Sequence, residues 1–208
     1  MKSRWTELWL NKQLRFDFIF YSLLSLCLLL LTPWHMDNIE ARQGVLLNDY
    51  VLDLLTPMDV SFFIMMILYG VIFFALIWLI QNPLHFTIAL KTFFFATLIR
   101  FISIYFISLE PPIGLIPLKD PVLEFFVYSN KLITKDLFFS GHAESTFLAF
   151  LVVKNKVMKL FFFFGFLLLS FLMLLQHIHY TSDIIGAVIV TWGLFIVFET
   201  EILNAETK

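Results

Sequence analysis

The sequence predicts an all-α integral membrane protein, a bundle of six transmembrane helices in one membrane domain spanning residues 1–208 with both termini cytoplasmic. Three observations predict it. Of 208 residues, 60% are apolar and 27 are Phe, while only 14% are charged, against about 25% in a soluble domain. The apolar residues fall into long uncharged runs, and a run of about 20 residues is what a helix needs to cross the hydrocarbon core. Most of the remaining charges sit outside those runs, and the positive ones are more numerous on one side than on the other. A soluble enzyme is thereby excluded. Fourteen Lys and Arg against sixteen Asp and Glu leave a net charge of −2, with no basic surplus for a phosphate backbone, so no nucleic acid is expected as a partner. The single cysteine, Cys27, lies in an apolar run and reads as packing, since it has no second thiol for a disulfide.

The first span is expected at about Phe18 to Trp34, too long for a signal-peptide core and with no small-residue cleavage site before Pro33. The second runs from Val60 to Ile80. The Gln81-Asn82-Pro83 break starts a third, from about His85 to Leu109. The fourth, Phe139 to Val153, and the sixth, Thr181 to Phe198, are shorter and carry His, Glu or Asp near their first turns, so those ends must face water or protein. The fifth extends from Val157 to Gln176 through the Phe161 to Phe164 run. Two long outer loops, about 35 to 59 and 110 to 138, remain, and loops of that length usually serve a function.

Six crossings place both termini on one side. That side holds nine positive charges, Lys2, Arg4, Lys12, Arg15, Lys91, Lys154, Lys156, Lys159 and Lys208; the other holds Arg42, Lys119, Lys131 and Lys135, with Arg100 inside the third span. Positive-inside bias therefore assigns the termini to the cytoplasm. The second outer loop and the starts of the fourth and sixth spans then share the extracytoplasmic face.

Polar residues concentrate on that face. Ser140-Gly141-His142 precedes an apolar run, and two readings fit it: a plain helix N-terminus with a Ser cap and a permissive Gly, or an anion site in which helix N–H groups, the dipole, the hydroxyl and His142 converge on phosphate. His179 and Asp183 are four residues apart and can pair on a helix, the carboxylate fixing the imidazole tautomer as an activated nucleophile requires. The plainer alternative is an acidic first-turn residue complementing the dipole beside an interfacial His. Two histidines from separate segments plus one carboxylate would serve phosphoryl transfer, one His attacking and the other protonating the leaving oxygen. A zinc site from His142, His177, His179 and Asp183 is a weaker reading, because His-x-His at a helix edge is no specific metal spacing; neither a metal nor another cofactor is expected. His35 and His85 read as interfacial.

These residues resemble the type 2 phosphatidic acid phosphatase superfamily, and within it the sphingomyelin-synthase-like branch. Ser140-Gly141-His142 resembles the second signature of the superfamily, and His179-Tyr180-Thr181-Ser182-Asp183 the His-Tyr-Thr-x-Asp form of the third. Asp136, six residues before His142, fits the Asp-x-x-x-Ser-Gly-His form of the synthases, and Arg100 followed by the Pro-containing stretch Ser108 to Pro117 is similar to their segment after the third span. The likeness covers about residues 90 to 198. The third signature is specific, whereas Ser-Gly-His alone is weak. The resemblance implies His179 as nucleophile, Asp183 as its orienting carboxylate, His142 as general acid, and Ser140 and Gly141 as holders of phosphate oxygens. It also implies Arg100 and Asp136 as supporting groups and Glu124 in the headgroup pocket.

The sequence departs from the family in two places. The first signature of the lipid phosphatases, a Lys followed seven residues later by Arg-Pro, is absent. A phosphate monoester carries nearly two negative charges and benefits from several cations, whereas a diester carries one. The loss thus favours transfer of a phospho-headgroup from a phospholipid donor to a lipid alcohol such as ceramide. Ala143-Glu144 stands where the synthases carry an uncharged pair, and Glu144 could repel an anion or attract an amine. The alternatives are a lipid phosphate phosphatase or phospholipase-C-like hydrolase with water as acceptor, a catalytically silent lipid-binding membrane protein, and, last, a transporter, which would want broken helices and repeats. The expected partners are donor lipid, acceptor lipid and membrane, with room for a homo-oligomer.

Overall fold

A computed structural model describes residues 4–119 and 133–206 of the chain. Among the described residues it has seven α-helices: α1 Arg4–Leu10, α2 Lys12–Glu40, α3 Ser61–Gln81, α4 Pro83–Phe106, α5 Gly141–Val152, α6 Lys156–Leu175 and α7 Thr181–Glu206. Five of them, α2, α3, α4, α6 and α7, are long and apolar enough to cross a membrane, and the chain is a multi-pass membrane protein. The fourth expected span, Phe139 to Val153, is the short helix α5. Its 12 residues rise only about 18 Å, short of the ~30 Å hydrocarbon core. Its end has a local cause. The backbone turns extended at Val153, and the Asn155 side chain caps α6 by accepting from the N–H groups of Val157 (3.0 Å) and Met158 (3.1 Å).

Helix ends follow the same chemistry elsewhere. Asn11 caps α2 through Gln13 N–H (3.0 Å) and Leu14 N–H (3.2 Å), which starts that helix six residues before the expected Phe18. Pro83 opens α4, where a missing N–H costs nothing. α4 stops at Phe106 rather than running on to Leu109, because Leu109 pairs in an isolated parallel bridge with Val45. α7 continues beyond Phe198 to Glu206. In this added segment Glu201 binds Lys91 (2.7 Å) and Glu199 binds Lys154.

The short α5 is enclosed by α3, α4, α6 and α7, while α2 lies outside them and packs on α4. Shielded by longer helices, α5 meets protein rather than lipid along most of its length; Ala143, Phe147, Leu148, Leu151 and Val152 are all buried. One end of the bundle carries α1, the turn between α3 and α4, and the turn between α5 and α6; there Trp5 Nε1 donates to the Ile80 carbonyl at 2.7 Å. The start of α2 and the end of α7 lie at this end too, since Lys91 sits 5.4 Å from the Tyr21 ring centroid and 5.0 Å from that of Phe198.

The opposite end is roofed by the segments 41–60 and 107–119 and by residues 133–140. Gly44 is the closest approach in this cap: a Cβ there would stand 2.5 Å from the Leu109 carbonyl carbon, so no other residue fits. Its N–H donates to Glu110 Oε1 at 2.7 Å, which also receives Lys135 Nζ at 3.0 Å. Below the cap, the fully buried Gln176 amide joins three segments. Its Oε1 accepts from Val60 N–H (3.0 Å), and its Nε2 donates to Ser61 Oγ (2.8 Å) and to the Ile116 carbonyl (3.1 Å).

Candidate active site

Two helix N-termini meet under this cap. Ser140 has the extended backbone of an N-cap, and its Oγ accepts from Ala143 N–H at 3.3 Å. Its own N–H donates to the Asp183 carbonyl at 3.2 Å, which staples the start of α5 to the start of α7. One turn of chain on each side then carries a histidine. The His142 and His179 rings lie edge-on with centroids 6.1 Å apart and planes at 62°, close enough for one phosphate group to touch both.

His179 is held from behind. Its Nδ1 lies 3.1 Å from Asp183 Oδ2, and that oxygen also accepts from Tyr180 N–H at 3.0 Å. Because a carboxylate accepts, Nδ1 carries the proton and Nε2 is the ring's other, electron-donating nitrogen. Asp183 is completely buried. His177, two residues earlier, uses its Nδ1 on the Ile113 carbonyl at 2.8 Å. Among the described residues no three His, Cys, Asp or Glu side chains gather as a metal cluster would require.

Arg100 is buried beside the α5 N-terminus. Its Nε donates to the Phe139 carbonyl at 3.1 Å, and its Nη2 donates to both carboxylate oxygens of Asp136. A Cβ on Gly141 would stand 3.2 Å from the Arg100 Cζ, so the glycine lets the guanidinium lie against the helix end. Glu144, one turn into α5, is 1% exposed and accepts from Thr97 Oγ1 at 3.1 Å. Thr97 is three residues before Arg100 and shares its helix face. Glu124 lies outside the described residues.

From this polar cluster a cavity of about 460 Å³ descends between α2 and α3. Arg100, Asp136, His142 and Glu144 line its head, and Leu28, Leu29, Leu68 and Ile72 are among the apolar residues along its length. An apolar slot with a charged head matches the shape of a lipid.

Residues 135–200 match the family model for the PAP2 superfamily C-terminal region. The matched stretch contains Ser140, Gly141, His142, His179 and Asp183, while Arg100 lies before it. The match supports the PAP2 superfamily, and with it a lipid enzyme of the phosphatase or phosphotransferase type. No curated protein and no solved structure matches the chain.

Sequence reasoning missed Thr97, whose signal was its i, i+3 spacing from Arg100, and the contributions of α2 and α3 to the cavity. It also missed Asp49, which accepts from Thr181 across the cap and which no local pattern marks.

Proposed function

We propose that the chain is a membrane lipid phosphotransferase of the sphingomyelin-synthase-like type, moving a phospho-headgroup from a phospholipid to a lipid alcohol such as ceramide through a phosphohistidine. The observation that carries the reading is the pair of imidazoles with centroids 6.1 Å apart, one of which, His142, lines the head of an apolar cavity. His179 Nε2 attacks phosphorus while Asp183 keeps the proton on Nδ1. The bond from phosphorus to the diacylglycerol oxygen breaks, and protonated His142 gives that oxygen its proton. The acceptor hydroxyl then attacks the phosphohistidine, His142 takes the proton back, and His179 is restored. The N-terminal ends of α5 and α7 favour the negative charge on the phosphoryl oxygens. Glu124 is proposed for the headgroup pocket on the resemblance alone. The steps use the chain's own side chains and need no metal.

Charge at the cavity head supports a diester over a monoester. Arg100 already faces Asp136, so little positive charge remains for a dianion. The site is assigned to the extracytoplasmic face, because among the described residues the opposite end bears seven Lys and Arg and the site end three besides Arg100. Incubating the purified protein with a mixed phospholipid and ceramide pool, followed by mass spectrometry of the lipids, tests the reading. Headgroup transfer to ceramide supports it. Release of phosphate from a lipid monophosphate alone would establish the phosphatase alternative.

A further inference from the structure

The helix that carries Asp183 begins at Thr181, and its first N–H groups need acceptors. A carboxylate in the first turn is the usual partner for such groups, so Asp183 faces a competition between the helix end and His179. It resolves in favour of His179. Asp183 Oδ2 serves His179 Nδ1 at 3.1 Å and Tyr180 N–H at 3.0 Å, while the next donor in the chain is taken up from elsewhere. Thr181 N–H donates to Asp49 Oδ2 at 2.6 Å, and Thr181 Oγ1 donates to Asp49 Oδ1 at 3.0 Å.

Asp49 is itself held. Its Oδ1 also accepts from Val51 N–H at 3.0 Å and Leu52 N–H at 3.4 Å. Burial alone would raise its carboxyl pKa, but the donors of Thr181, Val51 and Leu52 outweigh burial and hold it below the ordinary carboxylate value. The loop is braced on both sides. Val45 N–H donates to the Ser108 carbonyl at 2.9 Å, and the Tyr180 hydroxyl donates to the Glu110 carbonyl at 2.9 Å while accepting Leu47 N–H at 3.3 Å.

We propose that Asp49 is a positioning residue: a cap supplied by a distant loop that occupies Thr181 and so reserves the Asp183 carboxylate for His179. The kinetic part of the claim rests on the phosphohistidine reading; the structural part does not. Removing the Asp49 carboxylate releases the Thr181 N–H two residues upstream of Asp183, where it draws that carboxylate off the imidazole.

The test pairs two readouts on Asp49→Ala, Asp49→Asn and Thr181→Val in detergent-purified full chain. One is turnover of headgroup-labelled phospholipid. The other is the downfield Nδ1 proton of His179 in the NMR spectrum, assigned by its loss in His179→Ala. Asp49→Ala is expected to lower kcat about tenfold, as a small misplacement of a reacting group does, with KM within about twofold, and to weaken the downfield signal. Asp49→Asn keeps an oxygen for Thr181 N–H and is expected to recover most of both. Thr181→Val combined with Asp49→Ala is expected to be non-additive. If the wild type turns over no lipid yet Asp49→Ala still loses the signal, the phosphotransferase reading fails and the positioning role stands. An unchanged signal in all three variants, or a loss of turnover no larger than the loss of folded protein, overturns the positioning role.

Discussion

The buried polar groups of the site and the exposed Lys154–Glu199 pair at the far end are held in opposite ways. At the site end Ser140, Glu144, Gln176, His179 and Asp183 are nearly or wholly buried, and each has a specific hydrogen-bond partner within the protein. At the far end the ion pair of Lys154 and Glu199 is partly exposed, with side chains 49% and 22% accessible. Water and counter-ions screen such pairs, so exposed ones contribute about 0–1 kcal/mol. A buried group that loses its partner costs about 1–3 kcal/mol and more if charged. The difference teaches where substitution matters: the buried polar groups of the site act together, whereas an exposed pair such as Lys154 and Glu199 can be removed alone.

Four substitutions test that contrast, in decreasing order of effect. His142→Ala is expected to lower kcat about 10²- to 10⁴-fold, the range for loss of a positioned acid, with the melting temperature nearly unchanged; steady-state assay on labelled phospholipid measures it. Gly141→Ala places a methyl 3.2 Å from the Arg100 Cζ. The guanidinium must shift, and a displacement of that kind costs about 10- to 100-fold in rate; Gly141→Ala combined with Arg100→Ala should recover part of the folded stability lost by the glycine substitution alone.

Gln176→Leu sharpens the contrast without touching the imidazoles. It strands Val60 N–H, Ser61 Oγ and the Ile116 carbonyl, and thermal unfolding should show a loss of about 1–3 kcal/mol. Lys154→Ala sets the other extreme. Its loss should change stability by less than about 1 kcal/mol and leave turnover at the wild-type level. An effect of Lys154→Ala as large as that of Gln176→Leu would erase the distinction between the ends.

The sequence was readable where chemistry is local. The uncharged runs mark α3, α6 and α7 because a span must be apolar along its whole length, and the four-residue spacing of His179 and Asp183 is a property of one helix turn. Ser140 is readable as a cap for the same reason. The fourth span was readable as short, but its enclosure by α3, α4, α6 and α7 was not, since its apolar run from Phe147 to Val153 looks like half a span until those helices are known; Asn155 was a local hint to its end. The partner of Arg100 lies 36 residues away at Asp136 and that of Thr181 lies 132 away at Asp49, distances at which no periodicity speaks. The cavity is harder still, because Leu28 and Leu68 are chemically alike whether they face lipid, protein or an acyl chain.

pH provides a view of the cap independent of turnover. The Asp49 carboxyl is held low by its donors, so the contacts it makes contribute stability above the ordinary carboxylate value and lose it as pH falls through the lowered one. Exchange of the Thr181 amide should therefore stay slow through mild acid and quicken only below that range.

The central claim is that His179 becomes covalently phosphorylated by a lipid diester while His142 serves the leaving oxygen. Its most direct measurement is acid quench of the protein with headgroup-labelled phospholipid, followed by peptide mapping of the bound label. The account predicts a labile adduct on the His179 peptide, absent in His179→Ala and formed far more slowly in His142→Ala. Turnover of the same lipid with no adduct on His179, or at an undiminished rate in His179→Ala, would contradict it.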